Sequence, residues 1–150
     1  MKPDKRFLLK ELLEDDKYIE LLKNEPAIYR VTYCKNNKLQ KIGRLLGEDK
    51  EGILYIGKSK KIRSRIQQLR NAVDPNRLST NHTFGNKFKK LVENKNKKLE
   101  IKIKDLFNFL CIEIELKSIK ELDKAETNEL KTYNYNFGEV PPLNSNLPNI

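Results

Sequence analysis

Two β-branched and aromatic runs, AIYRVTYC at residues 27–34 and ILYIG at 53–57, constrain this chain more than anything else in it. Such runs favour pleated strands. The second is followed at once by KKIRSRIQQLRNAV, where Ile62, Ile66, Leu69 and Val73 recur at i, i+4, i+7 and i+11, the stripe of an amphipathic helix. Residues 52–59, GILYIGKS, also satisfy the phosphate-loop pattern G-x-x-x-x-G-K-S. That reading fails physically. A phosphate loop needs a buried strand before its first glycine and small residues whose N–H groups can converge on phosphate. Here the charged turn GEDKE precedes Gly52, and Ile53, Leu54, Tyr55 and Ile56 are too bulky to line a nest. A strand–strand–helix order also lacks the crossovers of a parallel nucleotide-binding sheet. The stretch presents a tyrosine from a sheet.

The rest of the chain reads as follows. Residues 4–24 are expected to be helical, with Leu8, Leu9, Leu12 and Leu13, then Tyr18, Ile19, Leu21 and Leu22, between charges and Pro26 as the stop. The insert at 35–52 is polar and basic, punctuated by Asn36, Asn37 and Gly47. After the loop DPNRLSTN, the residues Phe84, Phe88, Leu91 and Val92 mark a further helix. LEIKIKDL and NFLCIEIEL alternate as a strand pair, and SIKELDKAETNELKTY is a helix with Ser118 and Glu121 spaced as a capping box. A Pro- and Asn-rich tail follows. The expected fold class is α+β: a small antiparallel β-sheet of three or more strands flanked by helices. One domain is expected over 1–150, with a helical extension at 1–25, a core at 26–144 and a tail at 145–150.

Lys and Arg number 31 against 21 Asp and Glu, a net charge of +10. That balance points to a polyanionic partner, most simply nucleic acid, against the plainer reading of a solvated lysine-rich surface. Cys34 and Cys111 lie in apolar runs and read as buried reduced thiols. The lone histidine, His82, is far from both, which argues against zinc. With no long apolar run near the N-terminus, neither a signal peptide nor a membrane partner is expected, and the localisation expected is cytoplasmic.

Each tyrosine strand carries one central phenol, Tyr29 and Tyr55. On the 118–134 helix, at about 100° per residue, Ile119, Leu122, Leu130 and Tyr133 share a face with Glu126 near its middle. A carboxylate on an inward stripe is costly unless paired, hydrogen-bonded or bound to a cation. A structural ion pair would satisfy it equally well. With these residues in view, the sequence resembles the GIY-YIG nuclease family. The matching pieces are AIY at 27–29, YIGKS at 55–59, Arg65 eight residues beyond Gly57, Glu126 in ETNELKTY and Asn144 in PPLN. Together they span residues 27–144.

The resemblance implies a divalent-metal-dependent DNA endonuclease, closest to stand-alone or restriction-like members. Glu126 would hold one Mg²⁺ or Mn²⁺, and Arg65 would fork onto the scissile phosphate. Tyr29 would be general base or its hydrogen-bonded orienter, Tyr55 would position the nucleophile, and Lys58 would supply the charge that lowers a phenol pKa. Asn144 would orient Glu126 or bind phosphate. Helix geometry alone does not choose between Arg63 and Arg65; the offset from Gly57 selects Arg65. Lys60, Lys61, Arg63 and Arg70 would contact phosphates or only solvent. In the insert, Lys41 and Arg44 would grip DNA unless the segment is a solvated loop. The chain departs from the family at Ala27, where glycine is usual, and at Leu69, where some relatives carry a histidine; His82 is a candidate substitute. DNA is the expected partner, with RNA admitted, and a homodimer on DNA would serve double-strand cutting. The setting expected is bacterial or phage, nucleoid-associated when bound. A non-catalytic DNA- or RNA-binding module is the competing reading. For both tyrosines the plainer role is core packing, with Tyr33 on the same strand face as Tyr29.

Overall fold

A computed structural model describes residues 1–73, Lys87 and 107–145. The helix expected around Phe84–Val92, the strand LEIKIKDL and the candidate His82 lie outside the described residues. In chain order the elements are β1 (Lys5–Leu8), α1 (Leu9–Glu14), α2 (Lys17–Glu20), β2 (Ala27–Lys35), β3 (Lys38–Leu39), β4 (Ile42–Arg44), β5 (Gly47–Asp49), β6 (Ile53–Ser59) and α3 (Ile62–Val73). A 3₁₀ turn at Phe107–Phe109 then leads into β7 (Leu110–Leu116), and α4 (Leu122–Phe137) follows. The architecture is α+β, with a mostly antiparallel arrangement that runs β1-β7-β2 and places β6 and the short β3 on the far side of β2.

The N-terminal region corrects one expectation. Residues 4–24 are not continuously helical: KRFL forms β1, antiparallel to β7, with Phe7 opposite Ile112. Pairing with β7 takes Phe7 and Leu8 out of the helical period, which resumes at Leu9. The helices that do form are short, and α3 holds them in place. Arg63 donates to the carbonyls of Leu22 and Glu20 at the end of α2. Arg70 pairs with Asp16 and donates to Leu12.

Register assigns the layers. Cross-strand partners share a face, so Tyr29 opposite Gly57 and Val31 opposite Tyr55 look to one side. That side packs against Leu9, Leu12, Ile19 and Leu22 of the N-terminal helices and Ile62, Ile66 and Leu69 of α3. On the other side, Ile53 and Ile56 meet Leu130 and Tyr133 of α4. That second face also carries an alternating charge ladder: Arg6 and Arg30 both clasp the fully buried Glu113, at 2.7 Å each, and Arg30 reaches Glu51. A carboxylate with two guanidiniums is satisfied there, and its pairing fixes the order β1-β7-β2.

The insert is folded. Asn36 and Asn37 take positive φ (51° and 61°), giving a two-residue turn between β2 and β3. Farther on, buried Asp49 accepts from the N–H groups of Glu51, Gly52 and Ile53 and so organises the turn into β6. Gly52, at φ 60°, has no room for a Cβ, which would lie 2.1 Å from the Gln40 carbonyl oxygen.

Helix α4 begins at Leu122, four residues later than Ser118. The Ser118 hydroxyl bonds the Glu121 carboxylate at 3.0 Å instead of capping the backbone. Ile119 therefore lies before the helix and is exposed, while Leu122, Leu130 and Tyr133 form the buried stripe. Among the described residues no helix is long and apolar enough to cross a membrane.

Candidate active site

Tyr29 and Tyr55 come together because of Gly57. A Cβ at that position would lie 2.7 Å from Cζ and 2.8 Å from the hydroxyl of Tyr29, and 2.8 Å from Cε1 of Tyr55. The missing side chain lets the Tyr29 ring lie across β6, so the two ring centroids stand 6.0 Å apart. Their hydroxyls are hydrogen-bonded, an interaction that raises the Tyr29 pKa and lowers that of Tyr55.

Burial is the largest influence on both phenols and pushes both above their ordinary value, Tyr29 well above it. Tyr29 is fully buried and Tyr55 only partly so. Two further groups act on both hydroxyls. The Arg65 guanidinium on α3 pulls each phenol down, and the Glu126 carboxylate on α4 pushes each up. Residues from β2, β6, α3 and α4 thus share one electrostatic neighbourhood. Arg65, not Arg63, is the arginine that reaches it; the guanidinium of Arg63 is spent on α2.

Lys58 approaches from the other side of β6, since it lies opposite Ile28 in the register. Its ammonium contacts Glu126 at 2.7 Å and Asp123 at 2.8 Å. The hydrogen bonds that Lys58 donates to both carboxylates, Asp123 foremost, hold the lysine above its ordinary pKa, and Lys58 in turn lowers that of Asp123. The site wraps around the edge strand: phenols on one side, the lysine–carboxylate cluster on the other. Between the start of α3 and the start of α4 lies an open cleft of about 520 Å³, lined by Lys58, Lys60, Lys61, Arg65 and Asp123 among others. Neither tyrosine nor Glu126 lines it.

Several expected roles change. Asn144 is bonded to the backbone of β6. Its carboxamide accepts from Ile56 N–H at 2.9 Å and donates to Ile56 carbonyl at 2.8 Å. No strand pairs with that outer edge of β6 among the described residues, so Asn144 acts as a one-residue strand beside Tyr55. Leu143 extends the seam by donating to the Leu54 carbonyl. Arg70 is buried against Asp16, and Arg44 is held by the Val140 carbonyl, by Glu139 and over the Tyr133 ring. Lys41 pairs with Glu48 on the surface. Tyr33 packs toward Phe109, with ring centroids 6.3 Å apart. The sequence reading missed Asp123; its signal was there, because residues three apart on a helix share a face.

Among the described residues no group of three or more His, Cys, Asp or Glu is placed to hold a metal ion, so a cation here would rest on a single carboxylate. Mg²⁺ is commonly bound by one or two carboxylates, with waters and substrate phosphate completing the shell. Glu126 is a hard oxygen donor, and its carboxylate already faces a cationic group. Glu126 would hold the cation.

Comparison with protein-family models, curated proteins and solved structures finds no match to this chain.

Proposed function

We propose that this protein is a divalent-metal-dependent endonuclease of the GIY-YIG type, acting on phosphodiester bonds of DNA. The observation that carries the reading is the convergence of Arg65 and Glu126 on the hydrogen-bonded hydroxyls of Tyr29 and Tyr55. Core packing accounts for the two tyrosine rings but calls for neither a guanidinium nor a carboxylate near their hydroxyls. Phosphodiester hydrolysis calls for both, because its transition state gathers negative charge on the phosphate while a water loses a proton.

In this mechanism Lys60 and Lys61 draw the DNA backbone into the cleft, and Arg65 forks onto the non-bridging oxygens. Glu126 would hold a divalent cation, which would supply charge neutralisation at the phosphate. Tyr29 is buried and held neutral, so it fixes Tyr55 through their shared hydrogen bond and is not the base. Tyr55 keeps the more accessible oxygen and places the attacking water in line. Burial and Glu126 keep Tyr55 neutral as well, so it would orient the water by hydrogen bonding while the water's proton passes to bulk solvent. Asn144 holds the strand that carries Tyr55 in register.

The competing reading is nucleic-acid binding without catalysis. The Lys58–Glu126 pair favours it, since a carboxylate already paired has no need of a cation. Plasmid nicking separates the two. With Mg²⁺ or Mn²⁺ on supercoiled, branched and single-stranded DNA, the wild type is expected to cut. Glu126→Ala should lose at least about 100-fold in rate, as loss of a principal electrostatic stabiliser does, and should still bind. Binding without cutting by wild type on every DNA form would favour the binding module. Cutting both strands would take two sites or two visits, and we place a homodimer on DNA behind it; sedimentation of the DNA complex as monomer alone would rule that out.

A further inference from the structure

We propose that Asp123 is a positioning residue that anchors Lys58 and thereby sets how readily a divalent cation reaches Glu126. The inference rests on the metal role of Glu126 proposed above.

Asp123 and Glu126 are one turn apart on α4, at i and i+3, so their side chains emerge on a common face. Both reach the same Nζ, at 2.8 Å and 2.7 Å. An ammonium has three N–H donors and can serve two carboxylates together. The two acids differ in setting. Glu126 is largely buried (18% side-chain exposure), whereas Asp123 is almost fully exposed (87%). Asp123 thus contributes little to packing. Its geometry is accounted for by Lys58.

The consequence for cation entry follows from charge. The Lys58 ammonium occupies Glu126 Oε2, the donor that a divalent cation needs. Entry must separate lysine from glutamate and leaves two cationic groups close together. Asp123 eases both demands. It keeps one ion pair for Lys58 when Glu126 is taken, and its charge offsets the repulsion. The retained ammonium stays in the wall of the cleft, beside Lys60 and Arg65, where a phosphate would arrive. Without Asp123, Lys58 has Glu126 as its carboxylate partner and competes with the cation for it.

Mn²⁺ titration of the DNA-free protein, read by the electron paramagnetic resonance signal of free Mn²⁺, tests this without any assay of cutting. Lys58→Met should tighten Mn²⁺ binding. Asp123→Asn should weaken it roughly two- to fivefold, the scale of one exposed ion pair. In the Lys58→Met background, Asp123→Asn should have a clearly smaller effect. Equal weakening in both backgrounds would overturn the proposal, because Asp123 would then act on the metal directly. So would weaker binding by Lys58→Met, or no effect of Asp123→Asn in the wild-type background. Glu126→Gln distinguishes the failures: if it leaves Mn²⁺ binding intact, the metal role of Glu126 falls and this inference with it. If it abolishes binding while Asp123→Asn is silent, only the inference falls. Asp123 is exposed, and circular dichroism of each variant verifies the fold.

Discussion

At residue scale, the candidate site depends on one absent side chain. Gly57→Ala must push a methyl group into the Tyr29 ring and the edge of Tyr55, since the nearest contacts would be 2.7–2.8 Å. Overpacking of this kind costs about 1–3 kcal/mol, and urea unfolding should show a loss in that range; an unchanged midpoint would contradict the close approach. The phenols give a second prediction. Tyr29, Tyr55 and Tyr133 are all raised above the ordinary phenol value, burial being the largest cause for each. Above pH of about 10 the unfolded chain therefore holds fewer protons than the native one, so these groups' stabilisation is complete below that pH and falls as pH rises. Tyr55→Phe should flatten the alkaline decline of stability measured by urea unfolding across that range, and an identical slope in wild type and variant would refute the assignment. The family resemblance named four residues, Tyr29, Tyr55, Arg65 and Glu126, that share one electrostatic neighbourhood in the structure. The partner of the Asn144 carboxamide is a backbone edge, which no side-chain pattern encodes.

At element scale, the two tyrosine strands and α3 were legible because their periodicities are long and regular. The first strand was not. Four residues, KRFL, run into a leucine-rich helical repeat, and only pairing with β7, more than 100 residues away, decides their conformation. The start of α4 was misread because Ser118 finds a side-chain partner in Glu121. The arginines of α3 were legible as charge but not as destination. Arg63 and Arg70 fasten the N-terminal helices, whereas Lys60 and Lys61 line the cleft. Their variants should therefore separate. Arg63→Ala and Arg70→Ala should each lower stability by about 1.5–3 kcal/mol, the scale of hydrogen bonds to a charged group, and leave the salt dependence of DNA affinity unchanged. Lys60→Ala and Lys61→Ala should leave stability alone and each reduce the slope of log affinity against log salt by about 1. Chemical denaturation and fluorescence-anisotropy titrations across salt concentrations measure both. The reverse pattern would mean that the packing of α1 and α2 on α3 has been misjudged.

At the scale of the whole molecule, α1, α2 and α3 lie on one side of the sheet, α4 on the other, and the edge strand β6 runs between. A site built around an edge strand can draw on both layers, and so an arginine from α3 and a glutamate from α4 act on the same pair of phenols. On the proposed reading, the excess of basic residues would bring a polyanion to that edge, an electrostatic role that should weaken with salt. The central claim is that a cation at Glu126 and the guanidinium of Arg65 face one scissile phosphate. A crystal structure of the protein with Mn²⁺ and a DNA duplex carrying a non-hydrolysable phosphorothiolate tests it most directly. The account predicts an anomalous Mn²⁺ peak about 2–2.2 Å from a Glu126 carboxylate oxygen, near the hard-cation distances of such sites, with a backbone phosphate between it and Arg65 and the Tyr55 hydroxyl on the nucleophile side. DNA seated elsewhere, or Lys58 still on Glu126 with no metal at that carboxylate, would contradict it.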